Sequence, residues 1–171
     1  MRVTIASRIF APEPAAASFR LAALAAALAD AGHDVTVLTS RLPRRADAEP
    51  AADAAAALDA RLTIRRAPVL RDRSGAVRGY VPYLSFDIPL FFRLLVARRS
   101  AVLVVEPPPT TGLAAVAAAW LRRTPLAYYA ADVLADAAAS AGSPAAVVRV
   151  VRWMERTVWR RAAAVLSVSP L

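Results

Sequence analysis

Polar side chains follow three of the apolar runs that indicate β-strands. They are Arg8 and Glu13 after the first run, Glu106 after the fourth, and Asp132 after the fifth. In a parallel sheet covered by helices, ligands bind at the carboxyl ends of the strands. This rule makes Arg8, Glu13 and Glu106 candidates for substrate binding.

Arg20 falls in the first turn of a predicted helix, where a cation opposes the helix dipole. A polyanionic ligand or a carboxylate partner would account for it, so Arg20 joins the substrate-binding candidates; the alternative is an exposed arginine. Glu106 and Asp132 together form a carboxylate pair of unknown separation. Their alternatives are a loop-anchoring carboxylate for Glu106 and a helix N-cap for Asp132.

Several chemistries are excluded by what the sequence lacks. It has no Cys and a single His, so a thiol nucleophile, a thiolate metal site and a multi-histidine metal site are ruled out, and we predict no metal site. That histidine, His33, precedes the second strand at the amino edge, where a structural role is expected. The loop after the first strand has Ala15, Ala16 and Ala17 in place of the glycines of a dinucleotide-binding fingerprint. The absence of Lys excludes a P-loop.

The chain carries a formal charge of +9, with 22 cationic residues that are all Arg among its 171 residues. Such a charge favours an anionic partner. The candidates are nucleic acid, anionic lipid and a phosphorylated substrate. The arginines are spread in pairs and form no ladder with aromatic residues, so no nucleic-acid partner is expected. The alternative is a solvated basic surface.

Residues 88–99, IPLFFRLLVARR, combine bulky apolar side chains with arginines. Phe91 and Phe92 could lie in a membrane interface with the arginines reaching lipid phosphates, or the segment could be a core-facing helix with a basic end. No apolar run approaches the ~20 residues that a membrane span needs.

The chain alternates between strand and helix patterns. Strands are predicted at residues 2–7, 34–39, 62–68, 102–105, 126–129 and 165–168, and helices at 18–31, 83–99, 110–123 and 145–163. Ser18 and either Thr110 or Thr111 are the expected helix caps. This alternation indicates an α/β fold: a single Rossmann-like domain with a doubly wound, mostly parallel sheet.

The opening segment, with Gly32-His33-Asp34-Val35-Thr36-Val37-Leu38-Thr39, resembles the amino-terminal domain of family 4 glycosyltransferases of the GT-B fold. Three later segments agree in order: VLVVEPPPT, PLAYYAADV and AAVLSVS. The resemblance covers nearly the whole chain.

This resemblance implies a retaining, metal-independent glycosyltransferase that uses a nucleotide sugar as substrate and needs no cofactor. The amino-terminal half holds a glycan or lipid-linked acceptor, and Ala15, Ala16 and Ala17 occupy the place of the loop near the donor phosphates. Many members have a His after the fifth strand; here the polar role there falls to Asp132, the catalytic candidate.

The second, donor-binding domain of the family has no counterpart in residues 1–171, so we expect the chain alone to transfer no sugar. We also expect a cytoplasmic protein, peripheral at the inner face of the plasma membrane. Two alternatives remain at this point: a non-catalytic Rossmann-like module that binds a nucleotide or anion, and a peripheral membrane module that uses Phe91, Phe92 and the arginine clusters.

Overall fold

The computed structural model describes residues 1–42, 61–72, 75, 77 and 79–167. Its strands are β1 (Arg2–Ala6), β2 (Asp34–Ser40), β3 (Leu62–Ala67), β4 (Val102–Val105), β5 (Leu126–Ala130) and β6 (Ala164–Ser167). Its helices are α1 (Ala16–Asp30), α2 (Tyr80–Val96), α3 (Pro109–Arg122), α4 (Leu134–Ser140) and α5 (Ala145–Arg161). Residues 41–60 are rich in Ala, Asp and Pro, and their sequence predicts a loop with a helix near its end; that predicted helix lies outside the described residues.

The six strands form one sheet in the order β3-β2-β1-β4-β5-β6, and every neighbouring pair is parallel. In the centre, Ile5 of β1 lies opposite Val37 of β2 and Val104 of β4. The chain first winds outward from β1 to β3 and then crosses to β4 on the other side. The predicted doubly wound, Rossmann-like architecture is confirmed.

The central strands are apolar on both sides because helices cover both faces of the sheet. Val3, Ile5 and Val37 face the layer that holds α1, where Leu21 and Ala25 are buried. The other face is covered by α2, α3 and α5, which contribute buried residues such as Phe86, Leu90, Ala115 and Val158. These two cores hold the carboxyl ends of the strands in fixed relative positions.

Gly112 lets α3 approach its neighbours closely. A Cβ built at this position would lie 2.9 Å from Cγ2 of Val158 and 3.2 Å from Cε2 of Tyr128. Val158 and Tyr128 are both buried, so neither has room to withdraw. A side chain at position 112 would therefore push α3 away from α5 and β5.

The expected helix caps are wrong. Ser18 lies inside α1 and is buried, and the N-cap position belongs to Ala15. Thr110 and Thr111 lie inside α3, which begins at Pro109 because proline fits the first turn, where no N–H is needed. The hydroxyl of Thr111 instead bonds Asp87 at 2.5 Å. The sequence patterns also missed α4.

No described helix has both the length and the apolar content that crossing a membrane requires.

Candidate functional site

A recess of about 210 Å³ opens at the carboxyl edge of the sheet. Side chains and backbone from the ends of β1, β4 and β5 and from α1 and α2 meet there. The residues that line it include Ser7, Arg8, Ala17, Arg20, Tyr83, Glu106, Pro107, Pro108, Asp132 and Leu134. The predicted site residues Arg8, Arg20, Glu106 and Asp132 are thus brought together around one opening.

Glu106 is the buried anion of this recess. Its Oε1 accepts a hydrogen bond from Nη2 of Arg20 at 3.2 Å, and its Oε2 accepts one from the Ser7 hydroxyl at 3.2 Å. The Glu106 side chain is 5% exposed, whereas that of Arg20 is 32% exposed. Arg20 therefore has the carboxylate partner that was one of the two explanations for a cation in the first turn of α1.

The pKa of Glu106 is raised because burial disfavours its charged form. Its hydrogen bond with Arg20, the charge of Arg20 and the Ser7 hydroxyl each lower the pKa and offset part of that rise. Arg20 thus helps to keep Glu106 ionised within the recess.

We expect Arg20→Met to lower the free energy of unfolding by about 1–2 kcal/mol at neutral pH. Losing Arg20 raises the pKa of Glu106 further, so the folded state binds its proton more tightly. The destabilisation is then present while Glu106 is ionised and shrinks as the pH falls through the raised pKa. Urea unfolding at neutral and acidic pH measures this. Arg41→Met is the control, because Arg41 is exposed. If Arg20→Met lowered the free energy of unfolding equally at neutral and acidic pH, the pairing of Arg20 with an ionised Glu106 would be contradicted.

Arg8 closes the recess on the α2 side. Its guanidinium carbon lies 4.0 Å from the centroid of the Tyr83 ring, and its Nη1 donates to the backbone oxygen of Val77 at 3.2 Å. Burial lowers the pKa of Arg8, while Tyr83, Asp87 and Glu106 raise it in part. The Nε atoms of Arg8 and Arg20 are buried and have no hydrogen-bond acceptor among the described residues. Buried polar atoms are rarely left without a partner, so a ligand that accepts hydrogen bonds would suit these two arginines.

Asp87 lies behind Arg8 on the buried side of α2 and is 3% exposed. Burial raises the pKa of Asp87, and the hydrogen bond from Thr111 and the charge of Arg8 lower it in part. One carboxylate thus links α2 to the first turn of α3 and supports the cation that faces the recess.

Glu155 positions the segment that carries Asp132. It is 2% exposed, and its two carboxylate oxygens accept the backbone N–H groups of Leu134 at 2.7 Å and Ala135 at 3.1 Å. The N-terminus of α4 has no side-chain cap of its own, so α5 supplies this carboxylate from across the helix pair. The short segment from β5 to α4 is therefore fixed at both ends, with Asp132 exposed at the mouth of the recess.

The other candidates lie in different surroundings. Glu13 pairs with Arg71 at 3.0 Å and is not among the residues lining the recess. Ala15 caps α1, Ala16 begins it, and only Ala17 of the three lines the recess. His33 lies between α1 and β2, at the amino edge.

Sequence reasoning missed Tyr83, Asp87 and Glu155. An aspartate within the apolar helix pattern at residues 83–99 was the available signal for Asp87, since a buried carboxylate needs partners. Glu155 offered no such signal, because α4 itself was not predicted. Among the described residues, no three His, Cys, Asp or Glu side chains are grouped as ligands for a metal ion.

The family profile described as "Glycosyl transferase 4-like domain" matches residues 16–171. The chain belongs to this family. The expected relationship to family 4 glycosyltransferases is confirmed, and the glycosyltransferase-like domain has the Rossmann-like half of a GT-B architecture. No curated protein matches the sequence.

Solved structures resemble this glycosyltransferase-like domain in fold. A putative UDP-N-acetylglucosamine 2-epimerase from Listeria monocytogenes is 15% identical with a TM-score of 0.53; the match covers 97% of this chain and 39% of that one. The C-terminal domain of a hydrogenase from Pyrococcus furiosus is 11% identical with a TM-score of 0.50, covering 74% and 88%. UGT2 of Phytolacca americana, solved with UDP-2-fluoro-glucose and pterostilbene, is 14% identical with a TM-score of 0.48, covering 78% and 31%. At these identities the similarity concerns the fold alone.

Proposed function

We propose that this domain is the acceptor-binding half of a retaining, metal-independent glycosyltransferase that uses a nucleotide sugar. The observation that carries the proposal is the recess at the carboxyl edge, in a chain whose family is glycosyltransferase-like. Ligands of doubly wound sheets bind at this edge. The recess is the acceptor site in this proposal.

The chemistry of the recess suits a ligand rich in hydroxyl groups. Glu106 accepts hydrogen bonds, Arg20 and Arg8 donate them, and prolines 107 and 108 supply apolar surface. The paired charges of Arg20 and Glu106 largely cancel, which suits a neutral sugar ring more than a polyanion. We assign substrate contacts to Arg8, Arg20 and Glu106.

Asp132 is the proposed catalytic group because it is exposed at the mouth of the recess. There its carboxylate would accept a hydrogen bond from the attacking hydroxyl and orient it towards the donor. Glu13, held by Arg71, would act on substrate indirectly by fixing the loop that precedes α1.

The donor would approach the start of α1, where Ala15, Ala16 and Ala17 stand. The helix has no side-chain cap there, so the first backbone N–H groups and the positive end of the dipole favour the donor diphosphate. Binding it also requires a second, donor-binding half, because the reaction needs both substrates oriented in one cleft. We therefore propose that residues 1–171 alone transfer no sugar. We also propose that the enzyme works in the cytoplasm, at the inner face of the plasma membrane.

Saturation-transfer NMR with a panel of neutral mono- and disaccharides and UDP-glucose tests the acceptor assignment. We expect weak binding of at least one saccharide and loss of its signal in Glu106→Gln, which keeps the shape of the side chain but removes its charge. Asp136→Asn is the matched control, because Asp136 is exposed on α4 and outside the recess. Tight binding of UDP-glucose without any saccharide would support the non-catalytic nucleotide-binding module instead. Sugar transfer by the purified chain would contradict the need for a second half.

A further inference from the structure

The outer face of α2 carries a continuous row of exposed apolar side chains. The row consists of Tyr80, Leu84, Ile88, Phe92 and Val96, which are between 48% and 85% exposed. Each residue of the row lies four positions after the one before it, on the next turn of the helix. The row therefore runs along all 17 residues of α2, about 25 Å, and turns gradually around its exposed side. Phe91 packs against the core instead. A row of this length differs from the scattered apolar residues of an ordinary surface.

This face carries no exposed carboxylate. The single acidic residue of α2 is Asp87, and it is buried on the opposite side of the helix. An acidic protein partner would still need cations along the row, but α2 itself contains only Arg93. The surface is thus apolar along its length, with charge confined to one end.

The cations gather where the row ends. Nη2 of Arg93 donates to the backbone oxygen of Arg65 at 2.7 Å, which ties the last turn of α2 to β3. A neighbouring recess of about 330 Å³ is lined by arginines from three parts of the fold, with Asp34 as its acidic residue. These are Arg2, Arg61, Arg65 and Arg98. Headgroup phosphates are the anions that would meet such a cluster beside an apolar row.

A second helix of the same layer also exposes aromatic and basic side chains. α2, α3 and α5 all cover one face of the sheet, and α5 exposes Trp153 together with Arg149, Arg156 and Arg160. Trp and Arg on an exposed helix suit the boundary between lipid headgroups and acyl chains.

We propose that the α2 row lies in the interface of an anionic phospholipid bilayer, with the arginines at its end binding lipid phosphates. A second copy of the chain fits the face less well, because two chains of formal charge +9 repel each other while an anionic bilayer attracts them. This contact is interfacial and involves no membrane span. It rests on the proposed location at the membrane but not on the proposed transferase activity, because vesicle binding requires no turnover.

Sedimentation of the 171-residue chain with vesicles tests the surface. The probes are vesicles of phosphatidylglycerol and phosphatidylcholine in equal parts, and of phosphatidylcholine alone. We expect binding to the anionic vesicles at low salt, and a partition coefficient roughly tenfold or more lower for the double variant Ile88→Gln/Phe92→Gln. The matched control is Phe19→Gln, since Phe19 is 72% exposed but lies on α1, across the sheet. Its partition coefficient should stay within roughly twofold of the wild type.

Circular dichroism and thermal unfolding establish that each variant is folded. Independently, Arg65→Gln and Arg98→Gln should each weaken binding to the anionic vesicles roughly fivefold, and added salt should weaken it as well. The proposal is overturned if the wild type does not bind anionic vesicles at low salt, or if Phe19→Gln weakens binding as much as the double variant. It is equally overturned if the double variant dissociates a dimer in light scattering while vesicle binding is unchanged, because the row would then be a contact between copies.

Discussion

Replacing Glu155 with alanine should lower the free energy of unfolding by about 3 kcal/mol. The buried carboxylate accepts the N–H groups of Leu134 and Ala135, and its removal leaves both donors unsatisfied at the start of a seven-residue helix. Charge-assisted bonds of this kind contribute about 1.5–3 kcal/mol each. The melting temperature should fall by roughly 6–12 °C in scanning calorimetry.

The loss of Glu155 should also change the shape of the recess. Without Glu155, the N-terminus of α4 is free to move, and Asp132 loses its fixed place at the mouth. Glu155→Gln should cost about half as much, because its amide oxygen still accepts one of the two N–H groups. The control is Asp136→Asn, whose carboxylate is 72% exposed and pairs with Arg152 at 3.4 Å. A Glu155→Ala protein as stable as Asp136→Asn would refute the positioning role.

Gly112→Val should destabilise the domain by about 3 kcal/mol. The first added carbon already lies within 2.9 Å of Val158, and the stiff, β-branched side chain adds two more where α3 meets α5 and β5. Gly112→Ala should cost about 1 kcal/mol, because the better helix propensity of Ala offsets part of the overlap. Urea unfolding measures both changes.

Ala117→Val is the matched control for Gly112→Val, because Ala117 lies in the same helix but is exposed. Valine there loses only helix propensity, about half a kcal/mol. Equal costs at positions 112 and 117 would show that helix propensity, and not the close approach of α3, sets the stability.

The succession of strands along the chain could be predicted because each strand shows a local pattern in the sequence. Short β-branched runs such as residues 34–39 and 102–105 have few alternatives to a buried parallel strand. Helix starts were less predictable: Ser18 and Thr111 are typical caps, but each is buried within its helix by tertiary packing. α4 escaped prediction because it is short, rich in Ala, and capped by a carboxylate that lies 20 residues away along the chain.

Those residues of the site whose positions follow from the sheet topology could be predicted from the sequence. Arg8, Arg20, Glu106 and Asp132 meet because the carboxyl ends of parallel strands share one edge. The pairing of Glu13 with Arg71, 58 positions away, depends on how a loop folds back, which spacing does not reveal. The same holds for Asp87, whose partners are set by the packing of α2 on α3.

Locating a bound saccharide tests the central claim most directly. The saccharide with the strongest saturation transfer would be titrated into the isotope-labelled chain while amide resonances are followed. We expect shifts at Ser7, Ala17 and Ala131, which line the recess at the carboxyl edge. The amides of Trp120, Arg123 and Ala163, which line a recess at the amino edge, should stay in place. Shifts confined to that second group would contradict an acceptor site at the carboxyl edge.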